Sequence, residues 1–213
     1  LKAIKIPEKT ITRLSIYLRC MDELLEEGIE SISSHELAER FGLNSAQVRK
    51  DLAYFGQFGV RGIGYYVKNL RQALEKILGL SREWEVALVG LGNLGTALLT
   101  YRGFSQRGFR IEAIFDRDPE KVGHNYNGLV VQSMNELIDT VQKKSIRIAM
   151  MAVPPVSAQG VADRLVQAGI LGILNFAPTQ INVPKNVKVK NVDLAVELRT
   201  LSFFLVRTLK ELV

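Results

Sequence analysis

Cysteine occurs once in the 213 residues, at Cys20. No internal disulfide can form, and there is no CxxC pair for a structural zinc or a redox centre. A reducing, cytoplasmic setting is the expectation. No apolar run is long enough to span a bilayer, and the opening LKAIKIPEKT lacks the apolar core of a secretory leader. Histidine is almost as scarce, with His35 and His124 alone. Nothing pairs either one with a carboxylate where hydride transfer would occur, and no segment is left over for a substrate domain. An enzyme reading therefore lacks its proton donor. What remains is ordinary for a globular chain of one or two domains: 47% apolar, 23% charged, six prolines.

The chain is organised around VALVGLGNLG, residues 86 to 95. A short apolar run meets Gly90-x-Gly92-x-x-Gly95 and then a helical pattern, the strand, turn and helix of a mononucleotide-binding half. Gly90 serves the tight turn, Gly92 lets the backbone approach a pyrophosphate, and Gly95 lets the helix lie close to the strand. Phosphates would rest on the free amides at the helix start, around Asn93 and Leu94. The next strand, Arg110 to Phe115, ends in Asp116, 26 residues beyond Gly90. A carboxylate there suits ribose hydroxyls and repels a 2′-phosphate, which predicts NAD(H) over NADP(H). Arg117 beside it argues the other way.

Alternating strands and helices continue from residue 83 to 190. Ile146 to Val153 reads as a buried parallel strand and Ile170 to Leu174 as the next, with Val187 to Val189 closing an edge. The ends of such strands place Val153, Pro154, Asn175, Phe176 and Ala177 around one cleft with Asn93 and Asp116. Val153 and Pro154 would form an apolar wall. The Asn175–Ala177 loop could meet a nicotinamide or simply pack.

The net charge of +6 is unevenly spread. Residues 1 to 39 sum to −3, whereas residues 40 to 82 sum to +6. That basic segment precedes the nucleotide fold and fits a polyanion. Its pattern gives a helix from Ile11 to Glu27, with Ile11, Leu14, Leu18, Met21 and Leu25 as the inward face, and then two short helices. Ser33 with Glu36, and Asn44 with Gln47, are their capping signals. The join FGLNS has the length of a helix-turn-helix turn. The second short helix would present Ser45, Gln47, Arg49 and Lys50 to a major groove. YFGQFGVRGIGYY predicts a two-stranded hairpin with Arg61 and Gly62 at its tip, a wing for a minor groove. Arg19, in the first helix, reads equally as a snorkelling surface residue or as a charge seeking a partner at an interface.

The last segment, 191 to 213, begins with Asn191 or Asp193 as a cap. Leu194, Val196, Leu198, Leu201, Phe204, Leu205 and Leu209 cover more than half of its circumference. Such a helix is buried on several sides, and a second subunit would cover it. The expected architecture is α/β: a winged helix-turn-helix domain over 1–82, a Rossmann-like doubly wound parallel sheet over 83–190, and a dimerisation helix over 191–213. Three classes fit the residues: a ligand-controlled repressor, a small NAD-dependent oxidoreductase, and a CoA-binding or structural α/β module with a winged-helix interaction domain.

The blocks RLSIYLR (13–19), SSHELAERFGLNSAQVRKDLAYFGQFGVRGIGY (33–65), VGLGNLG (89–95), FDRDPEKVG (115–123), GILNFAP (172–178) and NVDLAVELRTLSF (191–203) together resemble the bacterial redox-sensing repressor family Rex. The resemblance spans essentially the whole chain. It implies a homodimer whose winged helices bind a palindromic operator and whose nucleotide domains sense the NADH/NAD⁺ ratio, NADH releasing the DNA. It also implies a C-terminal helix swapped between subunits and a polar switch made of Arg19, Tyr101 and Asp193, the last from the partner subunit. Leu194 stands where some members of the family carry an aromatic residue, a departure in the nicotinamide pocket.

Overall fold

The computed structural model describes residues 6–211, with side chains through residue 208. Residues 1–5, part of the opening read above as lacking a leader's core, lie outside that range, as do 212 and 213. The chain divides into two compact units between Arg82 and Glu83.

The first unit runs α1 (Glu8–Glu26), β1 (Ser31–Ile32), α2 (Ser34–Phe41), α3 (Ser45–Ala53), β2 (Tyr65–Tyr66) and α4 (Val67–Ile77). Ser33 caps α2 with a full capping box, its hydroxyl accepting from the Glu36 amide while the Glu36 carboxylate accepts from the Ser33 amide. Asn44 caps α3 by accepting from the Gln47 amide. Gly42, in the left-handed region at φ 64°, ends α2 and turns the chain into α3. The buried stripe of α1 is Leu14, Tyr17, Cys20, Met21 and Leu24, with Thr10. Ile11 and Leu25, expected inside, are each 37% exposed. The core face is rotated toward Tyr17, which is almost fully buried in this unit's core.

The wing also departs from expectation. Val60 and Gly64 form one antiparallel bridge, with the amide of each donating to the carbonyl of the other, and Arg61, Gly62 and Ile63 make the turn. In place of a two-stranded ribbon, β2 pairs antiparallel with β1, Ile32 opposite Tyr65. At Gly64 (φ 94°) a Cβ would collide with the Ile32 carbonyl and Ser33 Cα, so the two backbones cross where only glycine fits.

The second unit runs β3 (Trp84–Val89), α5 (Asn93–Thr100), β4 (Phe109–Asp116), β5 (Asn125–Tyr126), β6 (Leu129–Ser133), α6 (Leu137–Lys143), β7 (Ile148–Met151), α7 (Pro155–Gln167), β8 (Gly172–Asn175), β9 (Lys188–Asn191) and α8 (Leu194–Glu211). Among the described residues the strand order is β5-β6-β4-β3-β7-β8-β9, parallel except for β5. The order reverses between β3 and β7, so the crevice opens at the carboxyl ends of those strands. Val86, Ala87, Leu88 and Val89 are all buried, as befits a central strand covered on both faces. The β5–β6 hairpin went unforeseen, although Asn127 (φ 50°) and Gly128 (φ 85°) form the Asn-Gly turn that signals one.

Candidate functional site

Each glycine of the 90–95 turn has a distinct physical reason. Gly90 lies at φ 93°, and a Cβ there would strike the Ala152 carbonyl. A Cβ on Gly95 would overlap the Gly90 carbonyl, which is how closely α5 packs on the turn. Gly92 is different: a Cβ there meets nothing described within 4 Å, so its bare face opens onto the crevice. Gly92 is also the residue at the start of α5 and supplies no side-chain cap. The first-turn amides of α5, around exposed Asn93 and Leu94, are therefore left for an anion from outside.

These amides border a cavity of about 690 Å³ that also takes in Asp116, Arg117, Lys121, Met134, Val153 and Pro154. Asp116 is buried at its edge, 7% exposed. Its Oδ2 accepts from the Leu91 amide at 2.6 Å and its Oδ1 from the Asp118 amide at 2.9 Å. A carboxylate offers about four lone-pair sites. Asp116 thus latches the glycine turn and retains acceptor capacity at the edge of the cavity. Nothing in the sequence announced that latch.

The Asn175–Ala177 loop does otherwise than expected. Asn175 is fully buried, and its amide nitrogen donates to the carbonyls of Ala177 and Thr179 and to Asn191 Oδ1, while its Oδ1 accepts from the Ala177 amide. It organises the loop and links β8 to β9, the packing alternative for this loop. Ala177 is buried in one core cluster and Phe176 packs against another. Neither of them nor Asn175 borders the cavity, whereas Val153 and Pro154 do.

In the first unit, Ser45, Arg49, Lys50, Arg61 and Gly62 lie at or near the surface, and the Arg49 guanidinium donates to Ser34 Oγ at 2.7 Å. Gln47 is the exception. Its amide nitrogen donates to Asp51 Oδ1 at 2.8 Å. Asp51 is 0% exposed and also accepts from Thr10 Oγ1 (3.1 Å), Tyr17 Oη (2.9 Å) and both Nε and Nη2 of Arg13. Burial alone would raise the Asp51 carboxyl, but the hydrogen bonds from Arg13, Gln47, Tyr17 and Thr10 outweigh it and hold it down at about 2. Burial first, and then the bond to Asp51, push the Tyr17 hydroxyl above its ordinary value. This cluster clamps α3 to α1, and it enlists Gln47, expected among the base readers, as an anchor. A signal did exist. Asp51 falls on the Val48–Leu52 stripe of α3, where an unpaired carboxylate would be intolerable, and Thr10, Arg13 and Tyr17 share one side of α1.

Of the three switch residues, Arg19 is exposed and 3.7 Å from Glu23. Tyr101 is 55% exposed and edge-on to Phe104. Asp193 caps α8, its Oδ1 accepting from the Ala195 and Val196 amides. Among the described residues no His/Cys/Asp/Glu cluster could hold a metal ion, and no helix is long and apolar enough to cross a membrane.

A winged helix-turn-helix unit joined to a sheet with a phosphate cradle at its switch point defines a DNA-binding regulator that answers to a nucleotide. Two family descriptions match in sequence, "CoA binding domain" over residues 81–179 and "Putative DNA-binding protein N-terminus" over residues 5–53. The redox-sensing transcriptional repressor Rex of Desulfitobacterium hafniense is 52% identical over 203 residues, 95% of this chain and 97% of that one. Crystal structures of RSP, a Rex-family repressor, are similar throughout. Its complex with β-NAD⁺ and operator DNA gives 38% identity and a TM-score of 0.92 over 98% of this chain and 97% of the other. Its complex with β-NADH gives 37% and 0.88 over 100% of both. The chain belongs to the Rex family of redox-sensing transcriptional repressors.

Proposed function

We propose that the chain is a homodimeric repressor that binds a palindromic operator and is released from it by NADH, so that the NADH/NAD⁺ ratio sets transcription. One observation carries the reading: a DNA-binding unit and a phosphate cradle share a chain that is similar from end to end to a repressor crystallised with operator and NAD⁺. It works by binding, as a cytoplasmic regulator and not as an enzyme. Residues 1–82 bind DNA, 83–190 bind NAD(H), and 191–213 assemble the dimer.

Ser45, Arg49 and Lys50 of α3 meet the major groove, while Arg61 and Gly62 approach the adjacent minor groove. Gln47 and Asp51 hold α3 at the angle at which it docks. At the other site the Gly92 face and the amides of Asn93, Leu94 and Gly95 take the pyrophosphate, Asp116 takes the adenosine ribose, and Val153 and Pro154 flank the nicotinamide. The bound dinucleotide supplies a ring whose charge and planarity change with one hydride. The protein responds because its DNA-bound and released states hold the two forms unequally.

The dimer reading rests on α8. Leu198 is 67% exposed, Leu205 61% and Phe204 58%, with Leu194, Val196 and Leu201 alongside them. A single chain leaves that surface in water, and a second copy with the same need covers it. In this arrangement Arg19 and Tyr101 form a polar switch with Asp193 of the partner subunit.

The test is an operator titration at fixed salt, without nucleotide and with NAD⁺, NADH or coenzyme A. NADH should weaken binding by about 5- to 150-fold, the range of ordinary allosteric coupling, and NAD⁺ should not. Release by coenzyme A, or indifference to NADH, would refute the reading.

A further inference from the structure

The adenosine corner of the cavity is not the plain carboxylate that its Asp116 suggests. Asp118 follows two residues later, and Arg117 and Lys121 border the same cavity. Lys121 Nζ lies 3.4 Å from Asp118 Oδ2 and 3.9 Å from Asp116 Oδ2, with its side chain 31% exposed. The loop that places it is tied down. The Asp118 amide donates to Asp116, the Glu120 amide to Asp118 Oδ1, and the Lys121 amide to the Asp118 carbonyl.

Three consequences follow. The formal charges of Asp116, Arg117, Asp118 and Lys121 cancel, so the repulsion that a lone aspartate directs at a 2′-phosphate is largely offset here. An ammonium has three donors, and both of these ion pairs are longer than a good hydrogen bond, so Lys121 keeps capacity for an incoming anion. Asp116 is latched to Leu91 and cannot swing away, which fixes the distance between the repelling and the attracting group.

We propose that Lys121, held between Asp116 and Asp118, sets the discrimination between a ribose 2′-hydroxyl and a 2′-phosphate, making NADPH a second, weaker ligand of this pocket. The inference rests on the pocket reading above. NADH and NADPH share every group except that phosphate, so damage to the pocket as a whole cancels in the ratio of their affinities. The ratio reports the corner alone.

The experiment is calorimetric titration of the full chain with each nucleotide. For the wild type, NADPH should bind within roughly 100-fold of NADH, the loss expected from a partly compensated charge. Lys121→Ala should widen that gap by roughly tenfold, mostly through NADPH, while Lys121→Arg should stay within about twofold of the wild-type ratio. Asp116→Ala should move the ratio the other way, toward NADPH. An unchanged ratio in Lys121→Ala, or wild-type NADH binding with no detectable NADPH binding at millimolar concentration, would overturn the proposal and leave the pocket reading intact. Failure of the wild type to bind NADH would overturn both.

Discussion

Replacing Asp51 should cost the first unit more than any surface change, and the structure indicates roughly how much. The carboxylate is 0% exposed and takes hydrogen bonds from Thr10, Arg13, Tyr17 and Gln47. Removing one partner of a buried pair usually costs about 3–5 kcal/mol, because the other is left uncompensated. Arg13 keeps some access to water at 29% exposure, which argues for the lower end. The Tyr17 hydroxyl is buried and would be orphaned, which adds about 1 kcal/mol or more. Asp51→Ala should therefore lower stability by about 3–5 kcal/mol. Asp51→Asn, which keeps the volume but not the charge, should lose about 2 kcal/mol, matching the displacement of its carboxyl from 3.8 to about 2.

The sign of the pH dependence follows from that displacement. A carboxyl held below its unfolded value stabilises fully above about pH 4, and that contribution is lost as pH falls through about 2. The wild-type advantage over Asp51→Asn should be constant near neutrality and shrink below about pH 4. Urea unfolding followed by far-UV circular dichroism measures it, with Trp84 fluorescence following the second unit separately. A cost below about 1 kcal/mol for Asp51→Ala, or an advantage that does not shrink in acid, would show that the clamp contributes little.

Arg61→Ala and Arg49→Ala should each weaken operator binding with NADH affinity unchanged. Loss of a single phosphate contact should reduce the salt slope by about 1, and full affinity at physiological salt would remove the residue from the interface. Truncation before Asp193 should give monomers or aggregate, which sedimentation detects, and a soluble dimer would place the main interface elsewhere. Arg19→Ala and Asp193→Ala should each weaken the DNA-competent state and blunt the contrast between NAD⁺ and NADH. Their double variant should cost less than the sum, and strict additivity in an operator-affinity cycle would show that the two do not interact.

The glycine turn and the helix caps were readable because backbone geometry restricts which residues can stand there. Gly90 and Gly95 each answer a collision that any side chain would cause, and Ser33–Glu36 answers unpaired amides at a helix start. Such constraints are local and leave a local trace. The Asp51 cluster is not local: Thr10 and Asp51 are 41 residues apart, and only the packing of α1 on α3 brings them together. The same applies to Asn175 and Asn191, joined only because β8 and β9 are neighbours. A polar side chain read in isolation advertises what it can bond, not what it already bonds. Gln47 and Asn175 carry groups suited to ligands, and in this fold those groups bond Asp51 and Asn191.

The distribution of charge around the cavity indicates how the pocket can tell two nicotinamide forms apart. Its ionisable groups, Asp116, Arg117, Asp118 and Lys121, gather at the adenosine corner. In the proposed binding mode they meet parts of the ligand that are identical in NAD⁺ and NADH, and so would contribute affinity without contrast. At the proposed nicotinamide end Val153 and Pro154 bring neither charge nor a side-chain hydrogen-bond donor. An apolar wall resists desolvating a cationic ring and accepts a neutral one, which tilts that end toward the reduced form. His35 is exposed beside Glu39, His124 is exposed as well, and neither borders the cavity. A sensor built this way needs only a difference in how well two ring states fit one surface.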